Sequence, residues 1–190
     1  MANTARGRSP KLETPLRLIV WGGAGTLLLL PLIAMQFNEE VAWDAADFLV
    51  FGAMLAMAGG AVELGARISS SLACRAGFVL AVGATFFLIW ANLAIGLIGS
   101  EDHPANAMYL AVMAILVFGS AAARLKPAGM VWVMLAAAAA FVAIATVALV
   151  AGLHQTAGAS VIEILAVNGL FAVLFLASAG LFALAGRQDV

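Results

Sequence analysis

The stretch from Trp90 to Tyr109 reads W-A-N-L-A-I-G-L-I-G-S-E-D-H-P-A-N-A-M-Y, two apolar segments joined by a polar tip. In lipid the backbone must satisfy its own hydrogen bonds, so an apolar run of about 20 residues crosses the bilayer as a helix. Gly99 favours the left-handed conformation that ends a helix, and Pro104 suits the first turn of the next one. The stretch therefore predicts a hairpin of two membrane-spanning helices.

The rest of the chain repeats this alternation of apolar runs and short polar breaks. Of its 190 residues, 65% are apolar and 10% are charged, whereas a soluble domain is about 25% charged. We therefore predict an all-α polytopic membrane protein with six transmembrane helices. The predicted spans are 16–35, 47–66, 76–98, 104–123, 130–152 and 161–185, after a disordered polar tail at 1–15.

The two signs of charge are segregated along the chain. All nine Lys and Arg residues precede the first span or lie at its very start, as Arg17 does, lie in the second or fourth loop, or follow the last span. The remaining loops carry carboxylates and no basic residue. Under the positive-inside rule both termini are cytoplasmic. The seven Arg against two Lys, with abundant Ala and Gly, are typical of a GC-rich bacterial genome, so we expect the bacterial inner membrane.

Glu63 and Arg67 are four residues apart near the predicted cytoplasmic end of span two. This spacing places them on one helix face in the favourable order, so we predict a structural ion pair. A carboxylate within a span also raises the alternative of a proton- or ion-coupled role.

The polar tip has a purely structural interpretation. Asp102 or His103 is suited to cap the helix that starts at Pro104, and Glu101 lies near the positive end of its dipole. Asn92 and Asn168 lie at similar depths, roughly 8–10 Å below the outer boundary. We expect them to form a hydrogen bond between their helices.

The same region also has a functional interpretation. Nearly all polar side chains able to enter the bundle lie in its outer half, where they would line an external cavity floored by asparagines and rimmed by carboxylates. Acidic walls attract a cation or a cationic small molecule. The candidate ligand-binding residues are Asp47, Asn92, Glu101, Asp102, His103, Asn106, Glu163 and Asn168.

Motifs for known cofactors are absent from the sequence. His103, His154 and the neighbouring carboxylates are suitable metal ligands, but no H-x-x-x-H, H-E-x-x-H or D-x-D-x-D-G spacing occurs. Cys74 is the only cysteine, which excludes an intrachain disulfide and a Cys-based zinc site. There is no nucleotide-binding glycine motif, no nucleophile elbow and no basic aromatic stripe for nucleic acid. We predict no cofactor and no nucleic-acid partner, but contact with the lipid bilayer and with another copy or another membrane protein.

Three segments carry a resemblance: N-L-A-I-G-L-I-G-S-E-D-H-P-A-N (92–106), L-L-L-L-P-L-I-A-M-Q-F (27–37) and V-A-W-D-A-A-D-F (41–48). They resemble a family of small six-span proteobacterial integral membrane proteins with no assigned function. In that pattern an asparagine often stands where His103 stands here, which implies that His103 is not essential. The resemblance implies no activity.

Three functions are compatible with these features. The leading hypothesis is a non-enzymatic bacterial inner-membrane protein with an accessory, assembly or sensor role. The alternative is a small transporter or channel subunit with an external acidic cavity, which requires an oligomer because six short spans enclose a narrow pathway. The third is a membrane-embedded metal-dependent hydrolase.

Overall fold

A computed structural model describes residues 13–38, 41–69 and 71–188 of the chain. Its regular structure in these ranges is entirely helical. The helices are α1 (Glu13–Ala34), α2 (Ala45–Ile68), α3 (Leu72–Ala94), a 3₁₀ helix (Pro104–Met108), α4 (Tyr109–Ala122), α5 (Pro127–Val150), α6 (Leu153–Thr156) and α7 (Val161–Gln188).

Six of these segments are long and apolar enough to cross a membrane. They are Arg17–Ala34, Ala45–Ile68, Leu72–Ala94, Pro104–Ala122, Pro127–Val150 and Val161–Arg187. The all-α class and the six spans of the sequence prediction are confirmed, because the length of an apolar run alone decides whether its helix can cross hydrocarbon.

Several helix ends differ from the predicted span boundaries; α3, for example, starts at Leu72 rather than at Ala76. Span three was expected to end at Ile98, but α3 ends at Ala94, because Gly96 adopts a left-handed φ of 71° and turns the chain. Residues 13–15, assigned to a disordered tail, belong to the first turn of α1. The rest of that predicted tail, residues 1–12, lies outside the described residues.

The chain divides into two compact units, the first extending to Glu63 and the second starting at Leu64. In the first unit an ion pair joins α1 to α2, with Arg17 Nε donating to Glu63 Oε1 at 2.7 Å. One partner of Glu63 thus comes from another helix, 46 residues earlier in the chain. The pairing of Glu63 with Arg67 stays a prediction.

The second unit is built on four long helices. Helix α7 packs against both α3 and α5, and α4 packs against α5. The Ser178 hydroxyl donates to the Gly77 carbonyl at 2.9 Å, so the first turns of α3 lie beside the last turns of α7. Hydrophobic burial contributes little to helix association in lipid, so close packing and such polar contacts hold these helices together.

Stacked aromatic rings fill the centre of this four-helix core. Phe141 on α5 and Phe171 on α7 stack with ring centroids 5.1 Å apart, and Phe175 adds a second stacked contact to Phe141. Tyr109, at the start of α4, packs its ring 5.8 Å from that of Phe141. Aromatic pairs of this kind contribute about 0.5–1.5 kcal/mol beyond the area they bury. The ring contacts therefore link α4, α5 and α7 near the end of the core at which α4 begins.

Two connections meet at that end, which we call the loop end. Gly99, in the loop after α3, has a left-handed φ of 72° and lies so close to Ala157 that a Cβ atom would stand 2.4 Å from the Ala157 carbonyl oxygen. Ala157 follows the short helix α6, between α5 and α7. The polar tip is thus packed against the connection between α5 and α7.

Candidate functional site

The polar tip is held in place by the side chain of Asn106. Its Oδ1 accepts hydrogen bonds from the backbone N–H groups of Leu97, at 2.9 Å, and Ile98, at 3.0 Å. Its Nδ2 donates to the Ser100 carbonyl at 2.7 Å. The residue is 5% exposed. Asn106 therefore binds the loop backbone six to nine residues before it, a structural role that the sequence did not reveal.

The histidine and the two carboxylates of the tip have different roles. His103 is the N-cap of the 3₁₀ helix, since its Nδ1 accepts from the Ala105 N–H at 3.2 Å. This confirms one of the two predicted capping residues. Glu101 and Asp102 are exposed on the loop before it. The tip thus presents two neighbouring carboxylates on a backbone fixed by Asn106.

Glu163 is part of a reciprocal cap at the start of α7. The Ser160 N–H donates to Glu163 Oε2 at 2.7 Å, while the Glu163 N–H donates to Ser160 Oγ at 3.1 Å. This is a capping box, which satisfies two backbone donors that a helix start leaves without partners. The S-x-x-E spacing was visible in the sequence and predicts this arrangement.

Asp47, in the first unit, has an equivalent role at the start of α2. Its Oδ2 accepts from the Asp44 N–H at 2.9 Å, and its own N–H donates to Asp44 Oδ1 at 3.0 Å. Asp47 and Glu163, two carboxylates predicted to line the rim of a cavity, thus both accept a backbone N–H at the start of a helix.

The expected hydrogen bond between Asn92 and Asn168 is not formed. Asn168, 2% exposed, accepts instead from the Tyr109 hydroxyl at 3.2 Å and donates to the Ile164 carbonyl at 2.8 Å. No motif in the sequence marks this role for Tyr109, although it is the only tyrosine and lies at the depth of Asn168. Depth can be inferred from sequence, but the rotation of each helix, which decides the partner, cannot.

Two polar atoms in the second unit are buried without a hydrogen-bond partner among the described residues. They are Asn92 Oδ1 on α3 and His154 Nδ1 on α6. A buried acceptor without a partner is uncommon and costs about 1–3 kcal/mol. Among the predicted site residues, Asn92 is therefore the one with a buried polar atom that no described residue hydrogen-bonds.

The candidate residues of the second unit that form hydrogen bonds engage different partners, and an external cavity lined by them stays a prediction. Asn106 and His103 serve the tip, Asn168 joins α7 to α4, and Glu163 caps α7. Within the described ranges, no three His, Cys, Asp or Glu side chains lie close enough together to hold a metal ion.

No protein-family model, curated protein or solved structure matches the chain. The functional proposals therefore rest on the chemistry of the side chains and on their geometry.

Proposed function

We propose that this chain is a non-enzymatic bacterial inner-membrane protein with an accessory or assembly role, or a sensor that responds to a partner protein. The supporting observation is the use of the polar side chains at the loop end. His103, Asn106 and Glu163 all bond to backbone groups of their own loops. Catalysis needs side chains whose donors and acceptors are directed at a substrate, whereas these are directed at the fold.

The exposed tip suits contact with another protein. Glu101 and Asp102 are presented on a backbone held by Asn106 and packed through Gly99 against Ala157. A surface that is already ordered loses little conformational entropy when it binds. A fixed pair of carboxylates favours a partner with a complementary basic surface.

A second function is favoured by Asn92. Its buried Oδ1 has no hydrogen-bond partner in the part of the chain that the structure describes, and a bound cation or a ligand with an N–H or O–H group would supply one. Glu101 and Asp102, in the loop that follows α3, would attract such a cation. This is the transporter or channel subunit, which needs at least two copies to enclose a pathway.

The response of thermal stability to cations separates the two functions. For the accessory role, we expect the melting temperature in mild detergent to change by less than about 1 °C with mono- or divalent cations or EDTA. A ligand at 100 times its Kd adds about 2.7 kcal/mol, which corresponds to roughly 5–10 °C for a chain of this size. The variant Glu101→Gln/Asp102→Asn is measured in parallel. A cation-specific rise that disappears in this variant would contradict the accessory role and support the transporter subunit.

We further propose that both termini are cytoplasmic, as the distribution of Lys and Arg favours. Cys74 is the only cysteine and is buried, so Cys74→Ser provides a cysteine-free background. In that background we expect Ser100→Cys to react with a membrane-impermeant maleimide on intact cells. Ala128→Cys, in the first turn of α5, should react only after permeabilisation. Ala128 is chosen because its replacement leaves Arg124 and Lys126 unchanged.

Each outcome of the labelling has a definite meaning. The reverse pattern would overturn the orientation but leave the span count intact. Labelling of both positions on intact cells would contradict an odd number of spans between them and hence the topology itself. The Cys74→Ser protein alone should remain unlabelled in both conditions.

A further inference from the structure

The end of the four-helix core opposite the loop end is basic. The start of α3 lies beside the end of α7, and the end of α4 lies beside the start of α5, where a Cβ on Gly119 would stand 3.1 Å from the Val133 side chain. Four basic residues occupy these helix ends: Arg75, Arg124, Lys126 and Arg187. We call this set the basic end.

The carboxylates of this unit lie elsewhere. Those that the structure describes are Glu101, Asp102 and Glu163, all at the loop end; Asp189 lies outside the described residues. Within the described part of the chain, no residue of the basic end forms an ion pair. Four cations therefore share one end with no described carboxylate of their own unit to neutralise them.

The α4–α5 connection fixes two of these cations. Arg124 and Leu125 both adopt left-handed backbone conformations, with φ of 51° and 57°. The Leu125 N–H donates to the Ser120 carbonyl at 3.1 Å, and the Lys126 N–H donates to the Ala123 carbonyl at 3.0 Å. Leu125 packs against the core while its neighbours Arg124 and Lys126 are exposed. In this turn the exposed side chains of Arg124 and Lys126 therefore flank Leu125, which packs against the core.

Arg75 is held in a similar way. Its Nε donates to the Ser69 carbonyl at 3.0 Å, and the residue is half-buried. This bond uses one of the five guanidinium N–H groups and leaves the others available for a bidentate contact with a phosphate.

The basic end lies where lipid headgroups lie. Its four residues are each within three positions of the end of a candidate span, at Leu72, Ala122, Pro127 or Arg187. We propose that the basic end binds the phosphate headgroups of acidic phospholipids. A Lys or Arg near an anionic membrane surface strengthens binding by about fivefold. The proposal does not depend on the orientation of the chain. Its failure would therefore leave the proposed function and topology unchanged, and their failure would leave this proposal unchanged.

The test compares phospholipids added to the purified protein in mild detergent. We expect phosphatidylglycerol to raise the melting temperature, whereas phosphatidylcholine and inorganic phosphate do not. Replacing two cations in Arg124→Gln/Lys126→Gln should increase the phosphatidylglycerol concentration at half-maximal effect by about 25-fold. The double variant Arg124→Lys/Lys126→Arg, which keeps both charges, should retain most of the response.

Glu101→Gln/Asp102→Asn serves as the matched control because it also changes the net charge by two, but at the loop end. Its response to phosphatidylglycerol should equal that of the unmodified protein. Equal stabilisation by phosphatidylcholine, or equal effects of the two charge-removing variants, would overturn the proposal. A full response to inorganic phosphate would assign the site to a soluble anion instead. Should Arg124→Gln/Lys126→Gln not fold, the single variants Arg75→Gln and Arg187→Gln provide the same comparison at about fivefold each.

Discussion

Replacement of Asn106 by alanine is expected to lower the free energy of unfolding by about 3 kcal/mol, because each buried group left without a hydrogen bond costs about 1–3 kcal/mol. The substitution leaves the backbone N–H groups of Leu97 and Ile98 without an acceptor, and these residues are 8% and 0% exposed. The Ser100 carbonyl loses its donor as well. The measurement is reversible unfolding in mixed micelles with increasing denaturing detergent.

The chain offers two matched controls, since Asn92 and Asn168 are also asparagines of the second unit. Asn168→Ala removes the contact with Tyr109, and hydrogen bonds between membrane helices contribute about 0.6 kcal/mol on average. Asn92→Ala removes a buried oxygen that has no hydrogen-bond partner among the described residues, so we expect no loss of stability and a gain of up to about 1–3 kcal/mol. The expected order of destabilisation is therefore Asn106, Asn168, Asn92. An effect of Asn92→Ala as large as that of Asn106→Ala would contradict the role assigned to Asn106.

The number of spans and their approximate positions were predictable because they depend on local sequence alone. A run long enough to cross hydrocarbon must be helical whatever its neighbours are. The capping boxes at Ser160–Glu163 and Asp44–Asp47 are also local, and their spacing can be recognised without a structure. A place for Asp47 and Glu163 on the rim of a cavity is not local in this sense and stays a prediction.

The differences between the sequence-based prediction and the structure concern contacts between residues that are far apart in the chain. The partner of Asn168 depends on how α4 and α7 are rotated, and several side chains at that depth were equally compatible with the sequence. After α3 ends at Ala94 and the chain turns at Gly96, Asn106 from beyond the tip accepts hydrogen bonds from the N–H groups of Leu97 and Ile98. Glycine content indicates a turn but does not indicate at which of Gly96 and Gly99 the helix stops.

Gly99→Ala is expected to destabilise the second unit by about 3 kcal/mol, the sum of two effects. A non-glycine residue in the left-handed conformation costs about 1–2 kcal/mol, and Gly99 has a φ of 72°. The added Cβ would also stand 2.4 Å from the carbonyl oxygen of Ala157. Because this atom belongs to the backbone, the two connections must separate, and overpacking of this kind costs about 1–3 kcal/mol.

Gly152→Ala isolates the first effect. Gly152 has a similar φ of 68°, but an added Cβ would meet no atom within 4 Å, so only the conformational cost of about 1–2 kcal/mol remains. The difference between the two variants measures the contact between the tip and the connection after α6. Limited proteolysis reports the same contact, because cleavage after Glu101 should accelerate in Gly99→Ala and not in Gly152→Ala. Equal stability and equal cleavage of the two variants would show that Gly99 is needed only for its backbone conformation, and the acidic tip would then not be held by Ala157.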